Sequence, residues 1–255
     1  MTEVVPQTVP ISREFVARTE ARETVEIRSQ VEGFLEKVFF KEGSKVQAGQ
    51  LIFLIDQRPY KAALLDAKGQ LAQAKAAYGK ANKDIERLKP LVAANAAPRQ
   101  DLDKAESEAE FSRAAIERGK AAVARAELDL KFTEIRAPLT GVIGKEEVAV
   151  GNLVMRNQTL LTTISSWDPM RVGFSLSEKD YLLLAERLPH LRAQSERDRG
   201  TPFELLLADG SLYPHRGRLS FVDRALDLTT GTLRIYVTFP IPTMSSSRAC
   251  SAGCV

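Results

Sequence analysis

Two rhythms of apolar positions divide this chain. Residues 25–57 and 132–166 carry short runs in which apolar and polar side chains alternate, broken by Gly33 and Gly43 in the first stretch and by Gly141 and Gly151 in the second. A period of two predicts half-buried strands, and the glycines mark tight turns between them. From Tyr60 the spacing changes: apolar side chains recur at Leu64, Ala67, Leu71, Ala74, Tyr78, Ala81, Ile85 and Leu88, in alternating steps of four and three. That is a coiled-coil seam. A second arm repeats it at Leu102, Ala105, Ala109, Ser112, Ile116, Gly119, Val123, Ala126 and Leu130, with small residues that let two backbones approach closely.

The two alternating stretches are copies of one another. Laying Glu26-Ile27-Arg28 over Glu134-Ile135-Arg136, an offset of 108, continues without a gap: Gly33 falls on Gly141, Lys37 on Lys145, Gly43 on Gly151, Val46 on Val154 and Gln50 on Gln158. Leu35 stands opposite Ile143, and Ile52 opposite Leu160. About thirty residues cannot close a core alone, so the copies are expected to pair about a pseudo-twofold axis, each supplying half of one small β-sandwich. The ends of the intervening segment then lie side by side, which makes that segment an antiparallel hairpin projecting roughly 45 Å at about 1.5 Å per residue.

The turn of the hairpin falls within Arg87–Leu102. Pro90 is expected to disrupt the first helix and Pro98 to open the second, with Ala97 as its cap. This window resembles the tip of the periplasmic adaptors, or membrane fusion proteins, of resistance-nodulation-division (RND) multidrug efflux pumps. Their pattern there is Arg-Leu, two residues, Leu, six residues, Ser; Arg87, Leu88 and Leu91 match it, and Pro98 stands in the place of the Ser. A proline offers neither a capping hydroxyl nor an N–H. Phe132-Thr133-Glu134-Ile135-Arg136-Ala137-Pro138 followed by Gly141 resembles the re-entry into the second half of that family's lipoyl-like domain. The resemblance runs from about Val5 to Phe239.

It implies an α+β, elongated multidomain fold: an antiparallel α-helical coiled-coil hairpin inserted in a split lipoyl-like β-sandwich, followed by a small β-barrel. The expected divisions are 1–24, N-terminal strand joining the barrel; 25–57, first lipoyl-like half; 58–131, hairpin; 132–166, second half; 167–240, barrel; and 241–255, an atypical tail with the membrane-proximal domain missing. Barrel strands are expected at Met170–Ser175, Phe203–Leu207, Arg216–Val222 and Thr232–Phe239, with an early strand around Phe15–Ala21. A helix is expected from Ser177 to Leu188, where Ser177-Glu178-Lys179-Asp180 reads as a capped start with an acidic third position. The resemblance further implies docking of the tip, through Arg87, Leu88, Leu91 and Pro98, onto a TolC-like outer-membrane channel. It implies an inner-membrane RND transporter as second partner, self-association as a hexameric ring, and a periplasmic location at the inner membrane, with the export signal or lipid anchor absent from this sequence.

Composition narrows the alternatives. The chain has 255 residues, 44% of them hydrophobic, enough for real cores, and a formal net charge of +3 with 27% charged residues, which provides no field for nucleic acid. No apolar run approaches the roughly 20 residues of a membrane-spanning helix. The two cysteines, Cys250 and Cys254, lie in the last six residues without companion ligands, so neither a disulfide framework, a catalytic thiol nor a metal site follows from them. His190 and His215 have no nucleophile or ligand nearby in sequence, and the Asp227–Thr232 turn lacks the Gly-Lys core of a phosphate loop. An enzyme is therefore not expected, nor a cofactor. A lipoyl or biotinyl carrier would place its modified lysine on the tight turn that the hairpin here replaces. An adaptor of an ABC-type exporter would share the hairpin and sandwich, and the tip pattern favours the RND class over it.

Overall fold

The computed structural model describes residues 14–180, 203–227 and 231–241. Eight short strands build the repeat region: β2 (Thr24–Arg28), β3 (Gly33–Val38), β4 (Lys45–Val46) and β5 (Leu51–Ile55) from the first copy, and β6 (Glu134–Arg136), β7 (Gly141–Ile143), β8 (Leu153–Val154) and β9 (Leu160–Ser165) from the second. They form two four-stranded sheets, ordered β2-β9-β7-β4 and β6-β5-β3-β8. Exchanging each strand for its repeat mate turns one order into the other. Each copy thus gives two strands to each sheet. Each copy supplies half of the sandwich, as expected, and the copies interleave, so each sheet is built from both.

Backbone geometry carries the same symmetry. Gly49 N–H donates to Ala137 C=O at 2.8 Å, and Asn157 N–H, 108 positions on, donates to Ser29 C=O at 2.7 Å. Both donors hold a positive φ, +85° for Gly49 and +59° for Asn157, and asparagine is the residue that best replaces glycine there. Gly43 and Gly151 also match, at +69° and +92°. The offset then slips by one. Strand β5 begins at Leu51 and β9 at Leu160, and the fully buried Ile52 and Phe53 correspond to Leu161 and Thr162, with Leu160 only half-buried like Leu51. Ile52 therefore has Leu161, not Leu160, as its mate, because one extra residue after Gln158 is absorbed in the turn.

Between β5 and β6 stand α1 (Arg58–Ala93, 36 residues) and α2 (Arg99–Phe132, 34 residues), each roughly 50 Å long at about 1.5 Å per residue. Every seam position named from the sequence is buried or half-buried, and Ala67, Ala81, Ala109, Ser112 and Gly119 are fully enclosed. The small residues act as expected: a Cβ on Gly119 would lie 3.1 Å from the Cα of Leu71, so the backbones approach as closely as glycine permits there. Ser112 is 2% exposed and its hydroxyl has no hydrogen-bond partner. Because a desolvated, unpaired hydroxyl is costly, Ser112→Ala is expected to raise stability by about 1 kcal/mol, read as a higher urea midpoint at unchanged m-value.

The hairpin is rooted firmly. Tyr60 Oη donates to Glu32 C=O, Ile55 N–H to Thr133 C=O at 2.9 Å, and the Gln57 amide to Thr133 Oγ1 at 3.1 Å. Asp56 accepts from the Arg58 guanidinium and from its backbone N–H, and these bonds hold its carboxyl down at about 2.

A third sheet, ordered β1-β10-β12-β11, is formed by β1 (Ala17–Ala21), β10 (Met170–Ser177), β11 (Arg218–Asp227) and β12 (Thr232–Phe239). Its core gathers Ala17, Val172, Phe174, Leu176, Ile235, Val237 and Phe239, which alternate along their strands as a half-buried sheet requires. The early strand expected near Phe15–Ala21 is present. Phe203–Leu207 is not a full strand: it makes single bridges at Phe203 to Gly217 and Leu206 to Leu212. Ser177 Oγ accepts from Asp180 N–H and donates to the Asp180 carboxylate at 2.7 Å, the predicted capped start, with helix at Glu178–Asp180. Most of the expected 177–188 helix, His190, both cysteines and nearly all of the 241–255 tail lie outside the described residues. Two compact units emerge, one of residues 26–138 with 144–163, the other of residues up to 25, 139–143 and from 164 onward.

Candidate functional site

The candidate docking surface is built by the way α1 ends and α2 begins. Pro90 does not break α1, contrary to the sequence expectation; the helix runs three residues past it. A proline within the last turn forfeits one hydrogen bond, whereas deeper in a helix the ring would also force a kink. Its own carbonyl accepts Ala94 N–H at 3.1 Å. Termination is the work of Asn95, at φ +54°. Asn95 N–H returns to Val92 C=O at 3.0 Å and Ala96 N–H to Leu91 C=O at 2.8 Å. This is a Schellman closure with asparagine at the left-handed position.

Pro98 is the N-cap of α2, with extended backbone at φ −65° and ψ 138°; Ala97 is not the cap, and α2 starts at Arg99. Proline's fixed φ suits that extended conformation, and its carbonyl accepts Asp101 N–H at 3.1 Å. No side chain caps this end, but Asp101 lies in the first turn, where a negative charge favours the exposed N–H groups.

The four residues singled out from the sequence fall on both sides of this turn. Leu91 is 41% exposed, a large apolar side chain presented to solvent at the hairpin's end. Arg87, one turn before it on the same helical face, is exposed and donates to Asp84 Oδ1 at 2.6 Å, which fixes its guanidinium along the helix. Leu88 is half-buried and belongs to the seam, so it anchors the end more than it presents a surface. Pro98 is exposed. Asn95 escaped the sequence reading, although an asparagine directly after a periodic helical run is a recognised stop signal. Asn95→Val is expected to destabilise the hairpin by about 1–2 kcal/mol, because a β-branched side chain resists positive φ, whereas Asn95→Gly leaves it intact. Thermal melts followed by helical circular dichroism at 222 nm distinguish the two.

Residues 23–165 match the profile described as RND MFP, barrel-sandwich hybrid domain, and residues 169–244 that of RND MFPs, beta-barrel domain. The chain is 36% identical over 233 residues to "Multidrug efflux pump subunit AcrA" of Escherichia coli (strain K12), covering 91% of this chain and 58% of that protein. It is 36% identical over 239 residues to "Multidrug resistance protein MdtE" of Escherichia coli (strain K12), covering 93% and 62%. The chain thus spans about three-fifths of the length of these relatives. Among solved structures, a MacA-MexA chimeric protein containing the Pseudomonas aeruginosa MexA alpha-hairpin domain shares the fold with a TM-score of 0.63 at 22% identity, over 95% of this chain and 78% of that one.

Proposed function

The chain belongs to the membrane fusion proteins of the RND class, and from that premise we propose that it is the periplasmic adaptor of a tripartite multidrug efflux pump. In this reading it links an inner-membrane RND drug/proton antiporter to a TolC-like outer-membrane channel and acts by assembly, with no bond made or broken. Copies stand in a ring, hexameric by family resemblance, and each hairpin offers its tip to the channel.

The observation that carries the reading is the tip itself. A rigid two-helix rod, tied to its sandwich by hydrogen bonds at both roots, ends in an exposed Leu91 with the charged Arg87 one turn behind. Covering Leu91 with a partner would gain by burial of its apolar surface. Arg87, Leu88, Leu91 and Pro98 form the proposed contact, with Leu91 as its apolar anchor. An ABC-type exporter would need the same rod, and the Arg-Leu-x-x-Leu order at 87–91 favours the RND class. A lipoyl carrier is disfavoured because α1 and α2 occupy the position of its lysine-bearing turn.

The reading is tested by deleting the gene in its host and measuring accumulation of a fluorescent efflux dye. Accumulation is expected to rise and to fall again when the full gene is restored. Restoration without effect on a raised accumulation would remove the adaptor role.

A further inference from the structure

One face of the third sheet carries groups that the chain itself leaves unused. In β10 and β12 the residues alternating with the core positions, Arg171, Gly173 and Ser175 with Arg234, Tyr236 and Thr238, lie on the face away from the core. The register sets them in rows: Arg18, Gly173, Tyr236 and Phe221 across β1, β10, β12 and β11, and beside it Glu20, Arg171, Thr238 and Arg218. Gly173 has a reason to be a glycine. A Cβ there would lie 3.1 Å from Tyr236 Cε1, so the bare strand gives the tyrosine ring room to lie across it. Tyr236 stacks on Phe221 with ring centroids 4.5 Å apart and 21° between the planes.

Arg171 stands beside this pair, its guanidinium carbon 5.4 Å from the Phe221 centroid and 5.6 Å from that of Tyr236. The rings draw it toward β12 and β11, away from Glu20, its register partner on β1. Among the described residues Arg171 makes no ion pair and no hydrogen bond, and its Nε is shut off from water with no acceptor. The Nη groups lie outside that cover. The Tyr236 hydroxyl is likewise without a hydrogen bond and open to solvent. Arg218 and Arg234 differ, being engaged within the chain, as is Asp223 two residues past Phe221. Among the paired residues of this face, four arginines thus stand against one acid, Glu20, and the cation that the rings hold in place is without a counter-charge.

We propose that this face docks an acidic segment of a partner protein, one carboxylate of which settles on the Arg171 Nη groups. Charge and shape favour that occupant. A guanidinium already stacked on two rings has its fork fixed, so a planar carboxylate meets two parallel N–H donors without the ordering cost that a loose side chain would add. The Phe221–Tyr236 pair beside it gives apolar cover, which strengthens a charged hydrogen bond by keeping water from it. Arginine and tyrosine are also among the side chains that most often anchor protein interfaces. A free organic acid fits less well, because a sheet face has no cleft to enclose it. The other cations of the face, Arg18 among them, attract a run of acids more than a single one.

The probe is a blocked hexaglutamate peptide, titrated at low salt into the full chain and followed through the backbone amide resonances of Gly173 and Thr238. Saturable shifts are expected in the millimolar range, with none from hexaglutamine. Arg171→Lys, which keeps the charge and loses the planar fork, is expected to weaken binding about tenfold. Tyr236→Phe preserves the ring stack and weakens it about threefold, whereas Arg18→Gln, a loss of exposed charge only, costs less than about twofold. A melting temperature within a few degrees of the unaltered chain shows that each variant is folded, and Tyr236→Phe carries the test if Arg171→Lys is not. Equal weakening by Arg18→Gln and Arg171→Lys marks a diffuse positive field and overturns the proposal. So do equal shifts from acetate at the same carboxylate concentration, which assign the site to free acids, and the absence of any saturable shift. Self-association that falls in Arg171→Lys, measured by sedimentation, gives the face to a second copy and overturns the proposal likewise.

Discussion

Gly141→Ala is expected to lower the stability of the sandwich by about 3 kcal/mol or more, and its melting temperature by about 10 °C. The reason is space. A Cβ on Gly141 would fall onto the backbone carbonyl of Ser165 and would also lie 3.1 Å from Leu139 Cδ1. That carbonyl cannot retreat, because Val142 pairs with Ser165 and Ile143 with Ile164 in the β7–β9 ladder, and Ile143 and Ile164 are fully buried. Its mate in the repeat offers a control on the same substitution. At Gly33 the new atom would meet Ile55 Cγ2 at 2.7 Å, a side-chain methyl that can yield, so Gly33→Ala costs about 1–2 kcal/mol. Gly43 and Gly151 have open space at Cβ and need only positive φ, so asparagine there is expected to cost little, as Asn157 demonstrates at the position equivalent to Gly49. Urea denaturation of the four glycine variants checks this order; equal losses at Gly33 and Gly141 would refute it.

Leu91→Asp is expected to abolish engagement of the outer-membrane channel while leaving both cores folded. In the proposed contact Leu91 is the apolar anchor, and burying an unpaired carboxylate there costs several kcal/mol, enough to reduce binding more than a hundredfold. In the free chain the same change is mild. Leu91 lies far along the hairpin from the sandwich, half in solvent, and the penalty is the unfavourable placing of a negative charge at a helix C-terminus, about 0.5–1 kcal/mol. Two readouts are therefore needed: site-specific crosslinking to the channel in cells, expected to vanish, and the melting temperature of the purified chain, expected to shift by only a few degrees. Undiminished crosslinking would remove Leu91 from the contact. With crosslinking lost, dye accumulation in cells carrying Leu91→Asp is expected to match that of the deletion.

The sequence carried more of this molecule than its modest composition suggests. The hairpin seam was legible residue by residue, because a two-helix coil has one interface and a 3-4 spacing must face it. The repeat was legible because equal backbone turns demand equal residues, and Gly43 and Gly151 both occupy positive φ. The tip pattern was legible as Arg87, Leu88 and Leu91, but its termini were not. Pro90 and Pro98 carry only general helix preferences, and the actual stop at Asn95 depends on where the carbonyls of Leu91 and Val92 lie once the helix has formed.

What the sequence determined by itself was the local: which positions face a seam, where chain direction reverses, and that two segments are equivalent. These follow from periodicity and from backbone freedom at single residues. The tertiary structure alone decided the exchange of strands between the two copies, the one-residue slip that makes Leu161 the mate of Ile52, and the meeting of Gly141 with the Ser165 carbonyl. It also set the level at which Leu71 of α1 stands against Gly119 of α2. Each of these depends on which distant segments share a core or a seam, and spacing along one strand or helix holds no record of its partner.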